Sequence, residues 1–229
     1  MMQSKTKTRK RAARVLIVDD HPAVREALAI RIAAQPDLEV CGEAADAQEA
    51  LRLAADADPD VAVVNIALKS GNGLDLIRRL KARNAAFRAI VWSMYSEQLY
   101  AERALRAGAM GYITKEQATG QIIEAIRQVL DGKIYLGPAM TEKLLKRAVG
   151  QAGPELARSP VAALSNRELE VLRLIGNGVK TAEIAKQLNL SVKTVETYRI
   201  RIRQKLDLSD GTDLARYAAQ WVLEQGGAK

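Results

Sequence analysis

"DVAVVNIALKSGNGLDL", residues 60–76, joins a β-branched apolar run to an Asn, a Gly-containing loop and the start of a helical period. A short apolar run bounded by turn residues fits a strand buried on both faces, and a strand feeding through a loop into a helix is the repeating unit of an α/β sheet. Open α/β sheets bind their ligands beyond the carboxyl ends of the strands. Asn65 occupies that position here.

The same alternation extends to both sides. Strand-like runs "RVLIVDD", "LEVCGEA", "DVAVVNI", "AIVWSM" and "GYITK" are separated by segments with apolar residues at helical spacing, from "PAVREALAIRIAA" to "QIIEAIRQVLDG". Five strands alternating with five helices over residues 15–132 predict an α/β doubly wound, five-stranded parallel sheet. Residues 133–160, "KIYLGPAMTEKLLKRAVGQAGPELARSP", lose the strand signal and read as a linker holding a short helix at most. Residues 161–229 are helical in period throughout and predict a second, all-α domain of four helices; Ser165 precedes Glu168 at capping-box spacing. Residues 1–14 read as a disordered basic tail.

Bulk properties narrow the function. A chain of 229 residues, 48% apolar and 27% charged, suffices for two modest domains. It has no apolar run near the ~18 residues of a membrane span, and its basic N-terminus lacks the apolar stretch of a signal peptide, so a cytoplasmic location without membrane association is expected. Cys41 is the only cysteine and His21 the only histidine, which excludes an intrachain disulfide, a cysteine cluster and a histidine cage. Residues 1–14 carry six Lys/Arg and no acid, residues 15–160 eighteen against nineteen, and residues 161–229 eleven against eight. Positive charge at both ends of a near-neutral middle favours a polyanionic partner.

The strand ends gather the chemistry. Asp19 and Asp20 end the first strand, Asn65 the third, Ser93 the fourth, Thr114 and Lys115 the fifth, and a doubly wound sheet brings them to one edge. Each alone is an ordinary strand-end or helix-capping residue; together they resemble a site for an ion and a phosphoryl group. Paired carboxylates suit Mg²⁺, and a lysine with a hydroxyl suits phosphoryl oxygens. A carboxylate at position 65 would be a nucleophile for an aspartyl phosphate, whereas the Asn65 amide is a poor nucleophile and a weak ligand. Mg²⁺ binding is accordingly expected to be possible and weak.

In the C-terminal part, a helix over 181–188, a turn at Asn189 and Leu190, and a helix from Val192 to Leu206 capped by Ser191 have the layout of a helix-turn-helix. Val192, Val195, Ile202 and Leu206 fall at inward spacing. Lys193, Thr194, Glu196, Thr197, Ile200, Arg201 and Lys205 fall outward and, with Lys180 and Thr181 opening the shorter helix, form the expected DNA-contacting set. In "TDLARYAAQWVLEQ", Leu214, Tyr217, Ala218, Trp221 and Val222 share a face, with Trp221 suited either to the domain's own core or to pairing.

Residues 15–132 resemble the receiver domain of bacterial two-component response regulators, through "VDDHP" for the acidic pair, "WSM" for the switch hydroxyl Ser93, Tyr112 for the switch aromatic and "TK" for Lys115. "LSNRELEVLRLI" and "SVKTVETYRIRIRQKL" resemble the LuxR-type DNA-binding domain, and the order of the two is that of the NarL/FixJ family. The resemblance implies a flavodoxin-like receiver, double-stranded DNA as partner, a homodimer paired in part through the last helix, and no enzymatic role of its own. It also implies a sensor histidine kinase as partner if Asp is native at position 65, the family's phosphoacceptor position. Asn65 departs from that pattern: either a natural receiver no longer uses aspartyl phosphate, or an engineered Asp-to-Asn change blocks it, and retention of the helper groups leans to the second. Ile200 stands where many relatives carry a polar residue, so base preference does not transfer. Two other readings compete: a pseudo-receiver regulator switched by a ligand or partner, and a phosphoryl-transfer enzyme, which Asn65 disfavours.

Overall fold

A computed structural model describes residues 11–116, 120–149 and 160–226. Strands β1 (Ala13–Val18), β2 (Leu38–Ala44), β3 (Val61–Val64), β4 (Arg88–Ser93) and β5 (Gly111–Thr114) form one sheet of order β2-β1-β3-β4-β5. Every pairing in it is parallel. Helices α1 (Pro22–Ala33) and α5 (Gln121–Leu130) cover one face, while α2 (Ala47–Ala57), α3 (Gly73–Arg83) and α4 (Glu97–Ala107) cover the other. The two-residue period of a strand assigns the faces: Val15 and Ile17 pack with Leu28, Ile32 and Ile126, whereas Leu16 and Val18 pack with Leu51, Leu74 and Ile77. Because β3 is the central strand and the winding reverses between β1 and β3, the switch point lies where Asp19, Asp20 and Asn65 emerge.

Two expectations about the chain's edges change. Residues 11–14, read as part of a disordered tail, hold fixed partners: Ala13 and Arg14 belong to β1, the Arg14 amide donates to Asp60 at 2.8 Å, and Arg11 pairs with Asp60 at 3.3 Å. Residues 1–10 of that tail lie outside the described residues. The segment read as a linker extends the receiver, because Tyr135 bridges Gly111 in parallel, accepting from the Tyr112 amide at 3.0 Å and donating to Met110 at 2.9 Å. A single bridged residue has no alternation to betray it. Helix α6 (Pro138–Ala148) follows and buries Met140.

The second domain comprises a 3-10 turn (Pro160–Ala163), α7 (Asn166–Gly176), α8 (Thr181–Gln187), α9 (Val192–Leu206) and α10 (Gly211–Gly226). Its first helix begins at a complete capping box, with the Ser165 amide donating to Glu168 Oε2 at 2.7 Å and the Glu168 amide to Ser165 Oγ at 3.3 Å. Leu169, Leu172, Ile184, Val195, Ile202, Leu214 and Ala218 form the core, and Trp221 is buried against them. Helices α7 and α10 approach so closely that a Cβ at Gly176 would lie 2.4 Å from the Ala218 carbonyl oxygen. Val192, expected to face inward, is 50% exposed: it is the first residue after the Ser191 cap.

Candidate receiver pocket and nucleic-acid interface

The sheet's switch point brings together Asp19, Asp20, Asn65 and Lys115. Lys115 Nζ donates to Asp19 Oδ2 at 2.5 Å, although the residues are far apart in sequence. Asp19 Oδ1 accepts from the His21 amide at 3.0 Å, and Asp20 Oδ1 lies 2.9 Å from His21 Nδ1. Asn65 is buried, and its amide nitrogen donates to Ala67 O at 2.8 Å and to Asp20 Oδ1 at 3.2 Å. Helix α3 abuts this strand end so tightly that a Cβ on Gly73 would come 2.0 Å from the Asn65 carbonyl oxygen, which requires glycine at that position.

Ser93 and Tyr112 lie deeper. Ser93 Oγ accepts from the Tyr95 amide at 3.3 Å, and the Tyr112 hydroxyl donates to the Tyr95 carbonyl at 2.8 Å. Burial pushes the Tyr112 phenol well above its ordinary pKa, so it acts as a fixed donor. Thr114 ends β5 beside Lys115, whose amide donates to the Ser93 carbonyl at 2.8 Å.

Receiver domains commonly hold Mg²⁺ through an acidic cluster, and Asp19, Asp20 and His21 place their ligand atoms within 4.8 Å of one another. A hard dication seeks oxygen atoms free to turn toward it. Here Asp19 is committed to Lys115 and the His21 amide, and Asp20 and Ala67 O to the Asn65 amide. The donor set does not fit a tight Mg²⁺ site.

The mouth of the pocket faces the second domain. Asp20 and Lys69 line an open cleft of about 330 Å³ with Lys186, Gln187 and Asn189, the end of α8 and the turn after it. Beside the cleft the domains are joined by side chains that the sequence reading did not single out. Arg103 of α4 donates to the Leu164 carbonyl at 2.6 Å and the Val161 carbonyl at 2.8 Å, and Arg167 donates to Gly71 O at 2.6 Å. Tyr95, two residues beyond Ser93, inserts between α7 side chains. Its hydroxyl donates to Glu170 Oε1 at 3.4 Å and accepts from Arg173 Nη2 at 3.2 Å, and the Arg173 guanidinium lies 4.4 Å from its ring centroid.

Burial, reinforced by the Glu170 charge, pushes the Tyr95 phenol up to about 12. Glu170 is 1% exposed, and burial raises its carboxyl pKa against the pull of Arg167 and Arg173. One sequence signal existed. Helical geometry sets Arg167, Glu170, Val171 and Leu174 on a face opposite Leu169 and Leu172, and apolar residues on both faces mark a helix buried twice.

Helix α9 offers the nucleic-acid face. Lys193, Glu196, Thr197, Ile200 and Arg201 are exposed along it, and Lys180 is exposed before α8, with Thr181 half-buried beside it. Ser191 caps α9 by accepting from the Thr194 amide at 3.0 Å, and the Thr194 hydroxyl bonds Ser191 Oγ at 2.7 Å, so Thr194 serves the cap first. Thr197 donates to the Lys193 carbonyl at 3.0 Å and keeps its acceptor lone pairs. Lys205 is removed from the set of free cations, because its Nζ lies 2.6 Å from Glu168 Oε2. Burial alone would raise the Glu168 pKa, but the hydrogen bonds from Lys205 and Ser165 hold it below the ordinary value. No helix among the described residues is long and apolar enough to cross a membrane.

Comparison with known proteins agrees with this arrangement. The family described as response regulator receiver domain matches residues 15–127, and the luxR family of bacterial regulatory proteins matches residues 162–218. The oxygen regulatory protein NreC of Staphylococcus carnosus is 36% identical over 213 residues, covering 92% of this chain and 98% of NreC. The transcriptional regulatory protein LiaR of Bacillus subtilis is 35% identical, covering 90% of this chain and 96% of its own. RcsB of Salmonella enterica serovar Typhimurium, solved on the promoter P1flhDC in the presence of the phosphomimetic BeF3-, has a TM-score of 0.62 at 25% identity, over 92% of this chain and all of that one (100%). The chain therefore belongs to the LuxR-type, NarL/FixJ response regulators of two-component systems, DNA-binding regulators of transcription rather than enzymes.

Proposed function

We propose that this chain regulates transcription as a homodimer on double-stranded DNA, in the cytoplasm, and that its receiver pocket is blocked for phosphoryl transfer at Asn65. The observation that carries the DNA-binding reading is the exposed α9 face, where Lys193 and Arg201 flank the shorter polar side chains Glu196 and Thr197. Cations of this kind bind phosphates at any sequence, whereas short side chains on a helix in the major groove read base edges. One such helix covers a half-site, and two are needed for a tight one. The promoter-bound RcsB structure is a precedent for the DNA partner. Selection from a random DNA library tests the reading: an inverted or tandem repeat should emerge, and enrichment of single half-sites alone would remove the dimer.

A specific observation favours a pseudo-receiver reading of the N-terminal domain. The Asn65 amide nitrogen is engaged by Asp20 and Ala67 O, as in a pocket that has settled around an amide. On this reading the input is a ligand or partner acting on the domain contact at Tyr95, Arg103 and α7. With Asp at position 65, the input would be a sensor histidine kinase, and Ser93 and Lys115 would contact the phosphoryl group. With Asn65 in place, Mg²⁺ binds only weakly at Asp19 and Asp20.

A further inference from the structure

We infer that the Asn65 amide takes the place of the divalent cation, so that the receiver pocket is complete without metal. Its nitrogen lies 3.2 Å from Asp20 Oδ1 and 2.8 Å from Ala67 O, oxygen atoms supplied by different segments, one following β1 and one in the loop after β3. Gathering oxygen atoms from separate segments is what a bound dication does in a site of this kind. The amide carries two N–H bonds and spends them on these two acceptors, leaving its oxygen as the only group it can offer a metal.

The protein supplies partners for the two carboxylates as well. Lys115 neutralises Asp19 at 2.5 Å, and His21 Nδ1 lies 2.9 Å from Asp20 Oδ1. Lys69 and Lys186 line the mouth, adding positive charge on the path an incoming cation must take. The amide is therefore a competitor for the cation and not merely a poor ligand. The two descriptions make opposite predictions for its removal. If Asn65 were a weak ligand, Asn65→Ala would bind metal no better than the parent. If Asn65 is the cation's substitute, Asn65→Ala frees Asp20 and Ala67 O and binds metal more tightly, despite losing a ligand atom.

The inference rests on reading this pocket as a receiver site, and the two fail separately. The experiment is calorimetric titration of the full chain and of Asn65→Ala and Asn65→Asp with Mg²⁺ alone, alongside thermal unfolding in chelator and in millimolar Mg²⁺. The parent's unfolding midpoint should not respond to Mg²⁺. Asn65→Ala should be lowered in chelator and restored by Mg²⁺, with affinity above the parent's, and Asn65→Asp should bind tighter than the parent by about tenfold or more. Asn65→Ala affinity equal to or below the parent's would overturn the substitution. Should Asn65→Ala fail to fold in chelator, its recovery on refolding with Mg²⁺ supports the inference, and failure in both conditions leaves the parent against Asn65→Asp to decide: equal Mg²⁺ affinity overturns it. Absence of Mg²⁺ binding by Asn65→Asp would sink the receiver reading itself.

Discussion

At the scale of single residues, Asn65 and Glu170 each carry a consequence that a solution measurement can read. Asn65 has no carboxylate to attack a phosphoryl donor, so acetyl phosphate should leave the intact mass of the chain unchanged. Asn65→Asp should gain one phosphoryl group that hydroxylamine removes, since Lys115 and Ser93 are already in the pocket; labelling of the parent chain would mean that Asp19 or Asp20 substitutes. Glu170 is the second. Its carboxyl pKa is raised in the folded chain above the ordinary 4.5, so the folded state holds this proton more tightly than the unfolded state does. The sign follows directly: this group's contribution is fully present below about pH 4.5, and stability falls as pH rises from there through the raised value. Glu170→Gln keeps the shape and removes the proton, so its thermal midpoint should lose that decline, and an identical pH profile for both proteins would show that Arg167 and Arg173 cancel the effect of burial.

At the scale of elements, α9 is the helix whose role is decided by which side chains remain free. Arg201→Ala and Lys193→Ala should weaken binding to all DNA sequences and reduce the salt slope by about one counterion each. Thr197→Ala and Glu196→Ala should instead change the preferred sequence, with about 1 to 3 kcal/mol at stake for each strong base contact. Titration at two salt concentrations separates the classes, and no change in preference or slope for any of the four would remove α9 from the interface. Lys205→Ala should act on stability rather than affinity, because Glu168 holds that ammonium. The elements themselves were legible in sequence, because β1 to β5 are short β-branched runs and α7 to α10 keep helical period between clear caps such as Ser165 and Ser191. The acidic pair, Asn65, Ser93 and Lys115 were legible for a related reason: they sit at strand ends, where topology alone dictates convergence. Tyr135 was not, since one bridged residue has no period, and Lys205 was not, since an outward helical position says nothing about an acid waiting on another helix. The contacts of Tyr95, Arg103 and α7 were hidden because each joins residues of separate domains, and no local pattern encodes such a pairing.

At the scale of the whole molecule, the two domains are docked by few groups, several of them charged. Arg103 donates to the Val161 carbonyl of the 3-10 turn and the Leu164 carbonyl just before α7, and Tyr95 sits under Arg173, so Tyr95→Ala and Arg103→Ala together should undock the domains while leaving each folded. Small-angle scattering should record a larger radius of gyration, and near-native circular dichroism should accompany it; an unchanged radius would place the docking energy elsewhere. The cleft where Lys186, Gln187 and Asn189 roof over Asp20 has a thermodynamic reach of its own. The turn that roofs it leads directly into α9, so a duplex that reaches past the exposed face of α9 to this turn is expected to compete with the receiver for it. Linkage between two such rivals is reciprocal: whatever factor docking subtracts from DNA affinity, DNA subtracts from docking. A promoter is then an effector of the receiver as much as its target, and Asp20 should be most open to solvent on chains already seated on DNA.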